Sequence, residues 1–69
     1  MPFVNIRFVR ENITENAEAK KAAIADKVSK AIGEAMGISP GSVWVVFEDV
    51  GAADWYVGPD SVETLRKKK

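Results

Sequence analysis

Met1-Pro2-Phe3-Val4-Asn5-Ile6-Arg7-Phe8-Val9 opens the chain, and its alternation governs the reading of everything after it. Val4, Ile6 and Phe8 fall on one side while Phe3, Asn5 and Arg7 fall on the other, the period of a half-buried strand. Proline is tolerated at the first position of a strand, where no ladder donor is needed. Removal of Met1, which small second residues normally permit, turns Pro2 into a secondary amine at the fixed end of a rigid element. An α-amino group has a reference pKa of about 7.7–8.0, against about 10.4 for lysine, and apolar surroundings lower it by disfavouring the charged form. A depression of about one unit, roughly 1.4 kcal/mol, leaves much of it as free base at pH 7. While Met1 stays attached, the same nitrogen is a planar amide without a basic lone pair. Pro2 is thus either a general base or a strand-initiating residue.

Beyond the strand, Arg10-Glu11-Asn12-Ile13-Thr14-Glu15 reads as a polar connection. Asn16 or Thr14 can cap a helix, and Glu15 and Glu18 suit the positive end of its dipole. From Ala17 to Met36, Ile24, Val28, Ala31, Ile32 and Ala35 recur at helical spacing, with Lys20, Lys21, Asp26, Lys27 and Lys30 facing away. Gly37 ends the helix, Ile38 supplies the hydrophobic contact and Pro40 prevents continuation. Gly33 costs about 1 kcal/mol relative to alanine inside a helix; a close approach to the sheet is one reading of it.

Ser42 to Glu48 reads as a second strand, with Val43, Val45 and Phe47 on one face and Trp44, Val46 and Glu48 on the other. Strand, long helix and strand make a right-handed βαβ unit with parallel strands. One helix covers one face of a two-stranded sheet and leaves the second face without a cover. Asp49 to Lys69 reads as a loop, a short hairpin around Trp55-Tyr56, and a basic, solvated tail at Leu65-Arg66-Lys67-Lys68-Lys69. The fold class is therefore α/β, or α+β in looser usage: one βαβ unit with a C-terminal hairpin, forming a single domain over residues 1–69.

Composition narrows the function. The chain has 69 residues, no cysteine and 46% hydrophobic residues. So short a chain rarely builds a sufficient core alone, and without disulfides or zinc thiolates the expected remedy is self-association. Ten basic and ten acidic residues cancel, which gives no electrostatic case for nucleic acid or membrane partners. No apolar run is long enough for a membrane span and no signal-peptide pattern precedes the strand, so a cytoplasmic location is expected. The absence of histidine and cysteine excludes Ser-His-Asp and Cys-His arrangements and imidazole metal ligands, and no glycine-rich phosphate loop occurs. Glu48 and Asp49 lie on opposite sides of a strand, poor geometry for a carboxylate pair, and solvation is the plain reading of the scattered acids.

The order Met-Pro with an apolar strand, a helix carrying Val28-Ser29-Lys30-Ala31-Ile32, and then Ser42-Val43-Trp44-Val45-Val46-Phe47-Glu48-Asp49 resembles 4-oxalocrotonate tautomerase and its small homologues. Trp55-Tyr56-Val57-Gly58-Pro59 looks like that family's Phe-Gly-Ile-Gly-Gly segment, so the resemblance covers essentially the whole chain. It implies a tautomerase fold assembled as a homohexamer, a trimer of dimers, with Pro2 as general base and acid. The implied reaction is enol–keto tautomerisation of small unsaturated 2-oxo acids, without a cofactor or metal. Carried over by position, Trp55 stands where the family has an aromatic that keeps the site apolar and the proline pKa low. Trp44 is the departure, because the family has a carboxylate-binding arginine there. Its loss removes a charge-assisted hydrogen bond of about 1.5–3 kcal/mol. The family's other arginine follows the first strand, where this connection is about three residues longer, and Arg10 is its best equivalent. Eight strand residues at about 3.3 Å each put Arg10 roughly 26 Å from its own Pro2, so it can serve only a neighbour's, as in the family's intersubunit sites. Tyr56 replaces a small glycine, narrowing the pocket or adding a hydroxyl.

Each of these residues also has a plain structural reading: Arg10 as a loop residue, and Trp44 and Trp55 as contact surface, which tryptophan favours. Two function classes follow. One is a Pro2-dependent tautomerase, with hydratase or dehalogenase chemistry as a sister reaction that needs a water-activating carboxylate near Pro2. The other is a non-enzymatic oligomeric scaffold or binding protein of the same fold.

Overall fold

Strand β1, Phe3–Val9, and strand β2, Trp44–Val50, pair in parallel, from Phe3 beside Trp44 to Val9 beside Val50. Helix α1, Ala17–Met36, joins them. The computed structural model describes residues 2–67. Burial alternates along both strands as the sequence demands. Val4, Ile6, Phe8, Val45 and Phe47 are half-buried beneath the helix, while Phe3, Asn5, Arg7, Trp44, Val46 and Glu48 are exposed on the opposite face. The Phe8 and Phe47 rings meet edge to face, 6.4 Å between centroids, a favoured aromatic geometry.

The helix bounds agree with the sequence reading, but the buried face is turned from the expected one. Ile24, Val28 and Ile32 are half-buried, whereas Ala31 and Ala35 are exposed. Ala17, Lys21, Ala25 and Ser29 are half-buried in the neighbouring row, so the covering face is turned toward them. Lys21 does not face away: its Nζ lies 5.5 Å from the Phe8 ring centroid, its stem lying along apolar surface. Asn16 stands at the N-cap but in the left-handed region, φ 52°, and neither it nor Thr14 gives the helix a side-chain cap. Gly37 closes the helix with φ 71°, as expected. Gly33 approaches not the sheet but the turn after the helix: a Cβ there would lie 2.8 Å from the Ile38 carbonyl oxygen.

β2 starts at Trp44 rather than Ser42 because Pro40–Ser42 forms a 3₁₀ turn, held by the Ser39 hydroxyl accepting the Gly41 N–H at 3.2 Å. It also extends through Asp49 and Val50, residues assigned to a loop from sequence alone. A second 3₁₀ turn, Ala52–Asp54, leads to the antiparallel hairpin of β3, Tyr56–Val57, and β4, Asp60–Ser61. Helix α2, Val62–Lys67, follows, its first turn capped by the Ser61 hydroxyl accepting the Thr64 N–H at 3.1 Å. Leu65, Arg66 and Lys67 are therefore helical, though exposed as expected, and Lys68 and Lys69 lie outside the described residues.

The apolar core is small: Val9, Val43 and Ala52. The accessible surface is 5057 Å², against about 4,200 Å² for a compact monomer of this mass. The Cα radius of gyration is 15.2 Å, against about 11 Å for a compact chain of this length. Phe3 and Trp44, 60% and 57% exposed, stand on the open sheet face and contribute to the excess surface. Among the described residues no helix is long and apolar enough to cross a membrane.

Candidate active site

Pro2 is half-buried, and its carbonyl accepts the Trp44 N–H at 3.0 Å. The parallel ladder therefore runs on to Pro2, and its ring and nitrogen stand on an anchored backbone. Trp44 pairs with Phe3 immediately beside it, so Pro2 and Trp44 share one end of the sheet.

The other proposed site residues gather at the opposite end. There β1 runs into a 3₁₀ turn, Arg10–Asn12, and each of its three side chains holds a different C-terminal segment. Arg10 donates through Nε to Asp49 Oδ2 at 2.9 Å. Glu11 Oε1 accepts the Ala52 N–H at 2.8 Å, and Asn12 Oδ1 accepts from the Arg66 guanidinium. The turn after the first strand is thus a clamp on the loop that carries Trp55. From there Trp55 is fixed by its own backbone, its carbonyl accepting the Val62 N–H at 2.7 Å.

Arg7, Val50, Asp54, Trp55 and Tyr56 line an open cavity of about 310 Å³. Trp55 and Tyr56 thus meet here, while Pro2, Arg10 and Trp44 are not among the lining residues. Arg7 and Asp54 are the members sequence reasoning missed. The signal for Arg7 was its place on the open face of β1, opposite Glu48 in register. Asp54 is a carboxylate of the kind hydration chemistry requires, but it stands in this cavity rather than beside the chain's own Pro2.

The acids are not simply solvated. Glu48 Oε1 accepts from Asn5 Nδ2 at 2.6 Å and from Arg7 at 3.3 Å. These contacts, Asn5 foremost, hold its carboxyl below the usual range. The hydrogen bond from Arg10 does the same for Asp49, and the Ala52 N–H does so for Glu11. Glu48 and Asp49 each engage a different arginine, which confirms that they are not a carboxylate pair. Among the described residues no cluster of three or more acidic side chains is placed to hold a metal ion. The groups on offer are an anchored Pro2 nitrogen at one end of the sheet, and two arginines and an aromatic cavity at the other.

A family model described as "Tautomerase enzyme" matches residues 2–65. The chain is 35% identical over 68 residues to the probable tautomerase K2 of Dickeya dadantii (strain 3937), covering 99% of this chain and 97% of that protein. It is 32% identical over 68 residues to a probable tautomerase of Helicobacter pylori (strain ATCC 700392 / 26695), covering 99% and 98%. Two solved structures share the fold. The crystal structure of DmpI from Helicobacter pylori superposes with a TM-score of 0.79 at 28% identity, over 99% of this chain and all of that one. A structure from the characterization of 4-oxalocrotonate tautomerase isozymes of Methylibium petroleiphilum gives 0.77 at 33% identity, over 93% and 97%.

Proposed function

The chain belongs to the tautomerase enzyme family, and from that membership we propose that it interconverts the enol and keto forms of a small 2-oxo acid with Pro2 as the proton carrier. After removal of Met1, which lies outside the described residues, the Pro2 amine accepts the enol hydroxyl proton. The resulting ammonium returns a proton to the adjacent carbon. One O–H bond breaks, one C–H bond forms, and the base is regenerated, so no cofactor is required. The observation that carries the reading is the Trp44 N–H bond to the Pro2 carbonyl, because a base acts usefully only when its position is fixed.

In this reading Arg10 binds the substrate carboxylate, Trp55 dries the site, and Tyr56 narrows it. Trp44 leaves the second arginine position without a cation, which favours a monocarboxylate over a dicarboxylate. Pro2 and Arg10 stand at opposite ends of β1, roughly 26 Å apart at about 3.3 Å per residue, so the complete site joins copies of the chain. Self-association, as a homohexamer, and a cytoplasmic location belong to the same proposal.

The test is intact mass followed by ketonisation of phenylenolpyruvate across pH. Protein lacking Met1, with activity that rises through an apparent pKa near 6–7 and disappears in Pro2→Ala, supports the reading. Processed protein that assembles normally yet turns over no enol at any pH refutes it and leaves the scaffold class.

A further inference from the structure

We propose that Asp49 is a positioning residue: it grips Arg10 by Nε and leaves the two terminal nitrogens, Nη1 and Nη2, to take a carboxylate as a pair. This rests on the reading that Arg10 binds substrate, and it gives that role a geometry. The guanidinium offers five donors in a planar fork, and carboxylates match its paired edges. Asp49 occupies one position only, Nε to Oδ2 at 2.9 Å. Among the described residues neither Nη1 nor Nη2 donates a hydrogen bond to the chain, in contrast to Arg7 and Arg66, each of which has Nη2 committed, to Glu48 and to Asn12. Arg10 is the arginine whose carboxylate-binding edge is left open.

The direction of that edge is also set. Arg10 Nη1 lies 3.5 Å from where a Cβ on Gly51 would stand, and Asp54 Oδ2 lies 3.9 Å from the same point. The fork therefore leans over Gly51, the residue before the turn Ala52–Asp54 that delivers Trp55. Gly51 has φ −59° and ψ 147°, a conformation any residue adopts, so its glycine is not required by the backbone. The absence of a side chain keeps the space beside Nη1 open. Asp54 and Asp49 both lie near this region, so an incoming carboxylate must approach past two acidic side chains, of which Asp49 is held by Arg10. A single favoured edge is what makes that approach possible: Asp49 is already engaged at Nε, and the ligand takes the side it cannot reach.

Anchoring matters because arginine is rotamer-rich. Immobilising such a side chain on binding costs about 0.5–1.5 kcal/mol, which is about two- to tenfold in affinity. Asp49 supplies that order in advance. The expected consequence is specific: loss of Asp49 weakens binding of anionic ligands and leaves neutral isosteres alone.

The experiment titrates the protein with phenylacetate and with phenylacetamide, following the indole N–H signal of Trp55 by NMR. It compares wild type, Asp49→Ala, Asp49→Glu, Arg10→Ala and the Asp49→Ala/Arg10→Ala double variant. Dispersed amide spectra establish that each variant is folded, and Asp49→Asn, which keeps an acceptor oxygen, serves if Asp49→Ala does not fold. Wild type prefers the carboxylate; Asp49→Ala loses about two- to tenfold of that preference, Asp49→Glu recovers part of it, and Asp49→Ala costs nothing further once Arg10 is alanine. A carboxylate preference that survives in folded Asp49→Ala overturns the proposal. So does a wild type without one, or an effect of Asp49→Ala that adds in full to that of Arg10→Ala. Binding is read without turnover, so failure here is separate from failure of Pro2-dependent ketonisation, which is scored by phenylenolpyruvate assay on the same samples.

Discussion

Replacing Gly33 by alanine reverses the sign that helix propensity assigns. In an open helix interior glycine to alanine is worth about 1 kcal/mol of added stability. Here the new Cβ would stand 2.8 Å from the Ile38 carbonyl oxygen, 3.2 Å from Pro40 N and 3.3 Å from Pro40 Cα. All three are backbone atoms, which cannot rotate aside as a side chain would. Forcing an extra methyl into a packed site costs about 1–3 kcal/mol. Moving the turn away also strains the Ile38 N–H bond to the Gly33 carbonyl, 2.9 Å long, whose loss is worth about 0.5–1.5 kcal/mol. Against the 1 kcal/mol gain, the central balance is a loss of about 2 kcal/mol. At about 4–8 °C per kcal/mol for a domain of this size, Tm falls by roughly 10 °C.

The measurement is thermal and urea unfolding at matched protein concentration, since association shifts apparent stability. Ala23→Gly, at an exposed position of the same helix, calibrates propensity alone at about 1 kcal/mol lost. The variant also reaches the site, because the displaced turn hands the chain to Val43 and to Trp44, whose N–H holds Pro2. Faster hydrogen exchange at the Trp44 amide accompanies the loss of stability. A Gly33→Ala protein as stable as wild type, or more so, refutes the steric reasoning.

Glu11→Ala leaves the Ala52 N–H, in a residue only 3% exposed, without its acceptor; faster exchange at that amide and lower turnover with unchanged mass are expected, and protection equal to wild type contradicts the clamp. Glu11, Glu48 and Asp49 all have folded pKa values below their ordinary 4.5, 4.5 and 3.8. The stability they contribute is present above those values and is lost as pH falls through the depressed folded values. The urea midpoint should decline once pH drops below about 4.5, less steeply in Glu48→Gln, and a level midpoint down to pH 3 contradicts it. Trp44→Arg restores a second cation at little folding cost, since Trp44 is 57% exposed. Its kcat/KM for an enol dicarboxylate relative to a monocarboxylate should rise about tenfold, the lower end of a hydrogen bond to a charged group.

What could be read from the sequence followed from period and punctuation. The alternation from Phe3 to Phe8 and the Gly37-Ile38-Ser39-Pro40 stop act locally, so the strand face and the helix end were legible without a structure. Contacts between distant residues were not. Nothing near Arg10, Glu11 and Asn12 announces that their partners are Asp49, Ala52 and Arg66, and a polar connection is the natural reading of such a run. The Gly33 approach was sensed as a cost needing a cause, but its cause, the turn at Ile38 and Pro40, depends on how tightly the chain reverses. The C-terminal residues were misread for a related reason: Ser61 caps α2 only because the hairpin brings it to the helix start, and charge alone suggested a tail.

In the proposed mechanism the site is divided between two ends of one sheet, which would tie chemistry to assembly. A parallel pair of seven-residue strands places everything before β1 and everything after it on opposite sides of the subunit. The basic nitrogen is a chain terminus in the proposed mechanism, so it must sit before β1; the carboxylate fork follows β1, so it must sit beyond it. No rotamer change closes roughly 26 Å. The same two strands leave Phe3, Trp44 and Val46 exposed on the face α1 does not cover, and burying that apolar surface is what would drive a second copy into place. On this reading the length of β1 separates the two halves of the site, and the face that α1 leaves open supplies the surface on which a second copy would rejoin them.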